Sequence, residues 1–371
     1  MKRFQKQYIE NDLKKKMVFI TGPRQVGKTW LARDIGGSFS RCVYLNYDSA
    51  GDRDIIKSEA WLPDTELLIF DELHKMKGWK NYLKGVYDTR PEKMKILVTG
   101  SARLEAFRQS GDSLAGRFFR HRLLPVTPGE ATCVGESIEP SFFLTRGGFP
   151  EPLLAADDMD ADRWRMQYID GLIRTDILDF ERIHDFRAIR LIFDLLRSRT
   201  GSPVSYQSIA EDVGIAPNTV KKYIQILESL FIVFRVTPFA GNIARSLLKT
   251  PKIYFFDTGL VNGDEGARFE NMVALSLLKH VYGQVDLYGQ SASLHYVRTK
   301  DGAEVDFCLT RDNLPVLLIE AKRSEARPER ALVNFSKRYG IPAMQVVLHL
   351  KQERLNNGVA IRRGMDLLEG V

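Results

Sequence analysis

Apolar positions in the first 125 residues gather into short, nearly continuous runs at Met17–Thr21, 41–47, 66–72 and 93–101, with a less regular fifth at 118–125. Helical spacing fills the gaps between them. A strand that is apolar at consecutive positions has to be buried on both faces, as in a parallel sheet covered by helices on each side. The pattern changes near Pro150. Stretches 160–178 and 186–196 carry apolar residues three and four apart, which predicts amphipathic helices. Two shorter helices are predicted over 205–213 and 217–230, broken at Gly214 and followed at once by an apolar strand at 231–236. A further helix is predicted over 270–281. Three strands follow, at 293–298, 304–310 and 316–322, divided by the turn sequences Lys300-Asp301-Gly302 and Arg311-Asp312-Asn313. Linkers are placed near Pro150, Gly201 and Thr250, and no element is assigned beyond residue 322.

Candidate chemistry sits at the end of the first run. Gly22-Pro23-Arg24-Gln25-Val26-Gly27-Lys28-Thr29 fits G-x-x-x-x-G-K-[ST], between a strand and a helix. Glycine lets the backbone wrap closely around a polyphosphate, and successive N–H groups with a helix N-terminus attract the anion. In that arrangement Lys28 reaches the β- and γ-phosphates of ATP, and Thr29 is a ligand of Mg²⁺. Arg24 lies within the loop, with a solvent-facing role weighed above phosphate contact. The third run ends in Asp71-Glu72, where Asp71 is expected to hold the metal through its water shell and Glu72 to polarise the attacking water. The pair resembles the Walker A and Walker B motifs of AAA-type ATPases. That resemblance implies a γ-phosphate-sensing polar residue at the end of the fourth strand, Ser101 or else Thr99. It also implies an arginine finger, for which Arg117 is weighed evenly against a structural ion pair.

The 371 residues are enough for several cores, and 44% hydrophobic with 27% charged residues is ordinary for a globular chain. The three cysteines and six histidines show no metal spacing. No apolar run approaches the roughly 18 residues of a membrane span, and the polar N-terminus lacks a secretory pattern, so a cytoplasmic protein without membrane contact is expected. The net charge is +7, and residues 197–252 hold eight basic against three acidic side chains. That stretch resembles a winged helix-turn-helix. Asn218 and Thr219 are placed to meet bases or phosphates, and Lys221 and Lys222 to meet phosphates, so DNA is the expected partner.

Near the C-terminus Glu304-Val305-Asp306 and Glu320-Ala321-Lys322 lie in adjacent predicted strands. If these pair, Asp306 and Glu320 approach each other, and facing carboxylates repel unless a cation lies between them. The pattern resembles the PD-(D/E)xK nuclease superfamily, with Asp306 as its first acid, Glu320 and Lys322 as its E-x-K, and Glu270 as its extra helix acid. In order, these parts look like one prokaryotic family that joins an AAA-like ATPase to a winged helix and a nuclease-like domain of unknown function. Other matching segments are Gly116-Arg117, Arg174-Thr175-Asp176-Ile177 and 252–260. The expected fold is α/β: a P-loop NTPase sheet over 1–150, a helical lid over 151–196, a winged helix-turn-helix over 197–252 and a restriction-endonuclease-like domain over 253–371. The leading functional expectation is an ATP-hydrolysing switch that engages DNA. The alternatives are an ATP-gated metal-dependent nuclease and a non-enzymatic scaffold set by ATP, with a homo-oligomer and an unidentified protein partner left open.

Overall fold

The computed structural model describes residues 2–100, 114–135, 137–173, 185–240, 250–299, 302–324 and 327–367. The chain divides into two compact units, Met1–Leu124 and Pro125–Val371. The division falls before the expected boundary at 150, and the three later expected domains share one unit.

The first unit runs α1 (Gln5–Asp12), β1 (Met17–Thr21), α2 (Lys28–Gly36), β2 (Cys42–Asn46), α3 (Ala50–Ser58), β3 (Leu67–Asp71), α4 (Trp79–Thr89), β4 (Lys95–Gly100) and β5 (Phe118–Arg122). The five strands form one parallel sheet in the order β2-β3-β4-β1-β5. Every residue of β1 and β3 is buried, as their unbroken apolar runs require. Phe19, Phe70, Leu83 and Val98 fill one of the cores beside this sheet. From β1 the chain crosses to β2 at the far edge, while β4 and β5 flank β1 itself. That reversal opens the crevice at the carboxyl ends of the strands where α/β sheets take ligands.

The second unit contains α5 (Pro128–Cys133), α6 (Pro140–Thr145), α7 (Pro150–Leu153), α8 (Asp158–Gly171), α9 (Phe186–Arg197), α10 (Tyr206–Val213), α11 (Pro217–Ser229), β6 (Val233–Pro238), β7 (Lys252–Phe255) and α12 (Glu265–Tyr288). It ends with β8 (Ala292–Arg298), β9 (Glu304–Arg311), β10 (Leu314–Ser324), α13 (Arg330–Tyr339), β11 (Ala343–His349), β12 (Arg354–Asn356), β13 (Val359–Arg363) and α14 (Gly364–Leu367). The eight strands form one mixed sheet, β12-β13-β11-β10-β9-β8-β6-β7. Asp312 and Asn313, at φ 50° and 63°, make the tight turn between β9 and β10 that the Asp-Asn pair foretold. The predicted helix over 270–281 is in fact 24 residues long, because Asp264 caps its start by accepting from Ala267 N–H and Gly289 ends it at φ 65°. Two of the elements after residue 324 carry little pattern: α13 buries only Leu332, and β12 is a three-residue edge strand with two exposed positions. Among the described residues no helix is long and apolar enough to cross a membrane.

Candidate functional site

The loop from Gly22 to Thr29 joins β1 to α2. Gly22 has φ 149°, and a Cβ there would stand 2.1 Å from the Leu123 carbonyl oxygen, so the loop leaves the sheet through a gap that only glycine fits. Gln25 at φ 58° and Gly27 at φ 97° complete the turn into α2. Arg3 holds this curve from behind, donating from Nη1 to Val26 O at 2.8 Å and from Nη2 to Leu124 O at 2.5 Å. Lys28 is buried, and its Nζ donates to the loop's own carbonyls at Gly22 (3.1 Å) and Pro23 (2.5 Å). Burial lowers its pKa to about 8, against the opposing pull of Glu72 and Asp71.

The end of β3 faces this lysine. Asp71 is buried and accepts three hydroxyl bonds: Oδ2 from Thr29 Oγ1 at 2.8 Å and Tyr44 Oη at 2.7 Å, and Oδ1 from Thr99 Oγ1 at 2.5 Å. Burial, and then Asp71, push the Tyr44 hydroxyl up to about 12. Glu72 takes the left-handed conformation at φ 57°, anchored by its N–H to Thr99 O at 3.1 Å, and leaves the strand direction just past Asp71. Non-glycine residues in that region cost of order 1–3 kcal/mol and collect at functional sites. Its Oε2 lies 3.4 Å from Lys75 Nζ and 3.7 Å from His74 Nε2.

Thus Lys28, Thr29, Asp71 and Glu72 come together at one end of the sheet. Thr99 joins them, whereas Ser101 lies outside the described residues. Tyr44 was missed, because nothing in β2 marks it until the β2–β3 pairing sets Tyr44 opposite Ile69, two residues before Asp71. Arg117 makes a two-pronged ion pair with Asp88, Nε–Oδ1 2.9 Å and Nη2–Oδ2 3.0 Å. Arg24 is half-buried and Gln25 exposed.

In the second unit α10 and α11 meet across Gly214, and β6 and β7 pair antiparallel behind them. Ile209, Val220, Ile224 and Leu227 are fully buried, while Val213 and Ile215 are only half-buried. Asn218, Lys221, Lys222 and Gln225 are exposed along one side of α11, and Thr219 is half-buried.

The C-terminal acids also converge. With Ile319 opposite Phe307, Asp306 lies beside Glu320, and its N–H donates to Glu320 Oε2 at 3.2 Å. Burial, and then the charge of Asp306, raise the pKa of both Glu270 and Glu320. Lys322 Nζ is 2.9 Å from Glu320 Oε1 and 3.2 Å from Glu329 Oε1. Sequence reasoning missed the residue at the centre, Lys252. Its Nζ lies 2.8 Å from Glu304 Oε1, 3.1 Å from Asp306 Oδ1 and 3.5 Å from Glu270 Oε1. Burial lowers the pKa of this lysine, but Asp306, Glu270 and Glu304 outweigh that and raise it. Among the described residues no group of three histidine, cysteine or acidic side chains is arranged to hold a metal ion.

Residues 14–132 match the model of an AAA domain. Over this stretch the chain is similar to AAA domains. Two further models match, both domains of unknown function: DUF8612 over residues 141–267 and DUF4143 over 265–363. An uncharacterized protein of Mycobacterium tuberculosis is 27% identical over 308 residues, covering 81% of this chain and 68% of its own length. An uncharacterized protein of Methanocaldococcus jannaschii is 22% identical over 358 residues, with 87% and 78% covered. Among solved structures, the Walker-type ATPase PABY2304 of Pyrococcus abyssi aligns with a TM-score of 0.45 at 14% identity, over 69% of this chain and 93% of that one. Thermotoga maritima RuvB aligns with a TM-score of 0.33 at 17% identity, over 62% and 88%.

Proposed function

We propose that the chain is a Mg²⁺-dependent ATPase that works as a nucleotide-driven switch and engages DNA through α10 and α11, read as a winged helix-turn-helix. The observation that carries the first part is the meeting of a phosphate loop with Asp71 and Glu72: Thr29 Oγ1 is 2.8 Å from Asp71 Oδ2. In this reading the amides of Gly22 to Thr29 cradle the phosphates, and Lys28 exchanges the Gly22 and Pro23 carbonyls for β- and γ-phosphate oxygens. The exchange favours binding, because a buried ammonium held only by neutral carbonyls gains a charged partner.

A hydroxyl and a carboxylate are hard oxygen donors and fit Mg²⁺, with Thr29 as a direct ligand and Asp71 acting through water. When bound, the ion neutralises charge on the polyphosphate. The Glu72 carboxylate, turned off the strand at φ 57°, orients the attacking water and accepts its proton. Thr99 holds Asp71 in place through its hydroxyl. Arg117 serves in trans only if it leaves Asp88.

The exposed Asn218, Lys221 and Lys222 on α11 support the DNA contact, with Lys221 and Lys222 on phosphates. The test for the ATPase is Glu72→Gln, which should retain ATP while turnover falls by about 10²-fold or more. Wild-type protein that binds ATP and never turns it over, with or without DNA, would leave only the scaffold reading.

A further inference from the structure

We propose that Lys252 is the resident cation of Glu270, Glu304 and Asp306, next to Glu320 with its own Lys322, so that these acids hold β7, at the edge of the second unit's sheet, to β9 and α12 and do not bind a catalytic metal.

The resemblance to metal-dependent nucleases implies a divalent ion between Asp306 and Glu320, and the donor set does not fit one. Each oxygen of the two key acids already has a donor. Asp306 Oδ1 takes Lys252 Nζ at 3.1 Å, and Oδ2 takes Ala321 N–H at 3.1 Å. Glu320 Oε1 takes Lys322 Nζ at 2.9 Å, and Oε2 takes Asp306 N–H at 3.2 Å. The helix acid is engaged as well: Glu270 Oε1 accepts from Tyr254 Oη at 2.7 Å and lies 3.5 Å from Lys252 Nζ. A Mg²⁺ or Mn²⁺ ion needs oxygens at about 2.0–2.2 Å, where it would collide with Lys252 Nζ at Asp306 Oδ1 and Glu270 Oε1, or with Lys322 Nζ at Glu320 Oε1.

The lysine is built into the fold. It opens β7, whose four residues are all buried, and its own side chain is 2% exposed. β7 pairs only with β6 in the sheet order, with Val236 opposite Lys252, and an isolated bridge ties Lys252 to Pro203 ahead of α10. From there the stem passes the Tyr296 ring on β8, with Nζ 5.5 Å from its centroid, to reach the acids on β9 and α12. A charge buried this deeply is tolerated only when it is paired and hydrogen-bonded, and three carboxylates meet that need. The contact thus ties β7, and through the Pro203 bridge the segment ahead of α10, to β9 and α12 by charge. It is independent of the nucleotide reading, since it involves no residue of the phosphate loop.

The test uses the full chain without nucleotide and follows free Mn²⁺ by electron paramagnetic resonance. Wild type and Asp306→Asn should bind the same amount of Mn²⁺, and neither should cleave plasmid DNA or RNA in an Asp306-dependent way. Lys252→Met keeps the stem and removes the charge. It should gain about one Mn²⁺ per chain, with a higher melting temperature in Mn²⁺ that wild type does not show. Adding Asp306→Asn to Lys252→Met should abolish both gains. Wild-type Mn²⁺ binding or cleavage that disappears in Asp306→Asn overturns the proposal, and so does a folded Lys252→Met chain that binds no more Mn²⁺ than wild type. If Lys252→Met does not fold, the comparison of wild type with Asp306→Asn decides.

Discussion

Lys28→Met should make the nucleotide-free protein slightly more stable at neutral pH, although it removes the proposed phosphate contact. Burial takes the Lys28 ammonium from 10.5 to about 8. At about 1.4 kcal/mol per pKa unit, holding the charged form inside the fold costs about 3 kcal/mol at pH 7. Its bonds to the Gly22 and Pro23 carbonyls return about 1 kcal/mol each, which the methionine variant forfeits. The net expectation is a variant more stable by about 1 kcal/mol at pH 7.

The sign then changes with pH. Between about pH 8 and 10.5 the unfolded wild type keeps its proton on Lys28 while the folded form releases it. Wild-type stability therefore rises with pH through that window, and the burial penalty is gone above it. The variant has nothing to titrate there, so its advantage should fall by about 3 kcal/mol and reverse. Urea unfolding without nucleotide or Mg²⁺, at several pH values from 7 to 10.5, would measure this by tryptophan fluorescence. Trp30, Trp61 and Trp79 all lie in the first unit. A difference that stays constant over the window, or a variant destabilised at pH 7 by more than about 1 kcal/mol, would refute the reasoning.

Three other outcomes follow from the geometry. Arg3→Met removes two bonds from a guanidinium to backbone carbonyls and should cost about 1.5–3 kcal/mol, with a several-fold rise in KM for ATP that Arg3→Lys does not fully repair; steady-state kinetics and urea melts check this. Arg165→Met leaves buried Asp257 without its partner at 2.9 Å, and burial already raises that carboxyl, so a loss of about 3–5 kcal/mol is expected in the second unit by chemical unfolding. Lys221→Ala and Lys222→Ala should each weaken DNA binding and lower the slope of log affinity against log salt by about 1; unchanged slopes in fluorescence anisotropy would remove α11 from the contact.

The meeting of the Gly22–Thr29 loop with Asp71 was legible because the chemistry of the proposed phosphate loop dictates residue types over a few consecutive positions. Close backbone approach demands Gly22, a left-handed turn favours Gly27, and an acid ending an unbroken apolar run marks Asp71. The residues that complete these sites come from elsewhere in the chain, where local pattern says nothing. Arg3 is 23 residues from Val26 and 121 from Leu124, and Lys252 is 54 residues from Asp306. In sequence Lys252 is simply a basic residue before a hydrophobic strand, and only the sheet order brings it to the acids. The approach of Asp306 to Glu320 was readable because one short turn sets that register; the lysine shared by Asp306, Glu304 and Glu270 was not. The long helix α12 was clipped at both ends because its first turns, from Glu265 to Arg268, are only partly buried and lack the apolar spacing that reveals the middle.

The central claim is that main-chain amides after β1, with Lys28 and Thr29, bind the triphosphate. Equilibrium titration of a fluorescent ATP analogue in Mg²⁺, comparing wild type with Lys28→Met, tests it most directly. Wild type should bind saturably, and the variant at least about 10²-fold more weakly, from the loss of a buried charge–phosphate contact. Equal affinity for the two proteins, both folded, would contradict it.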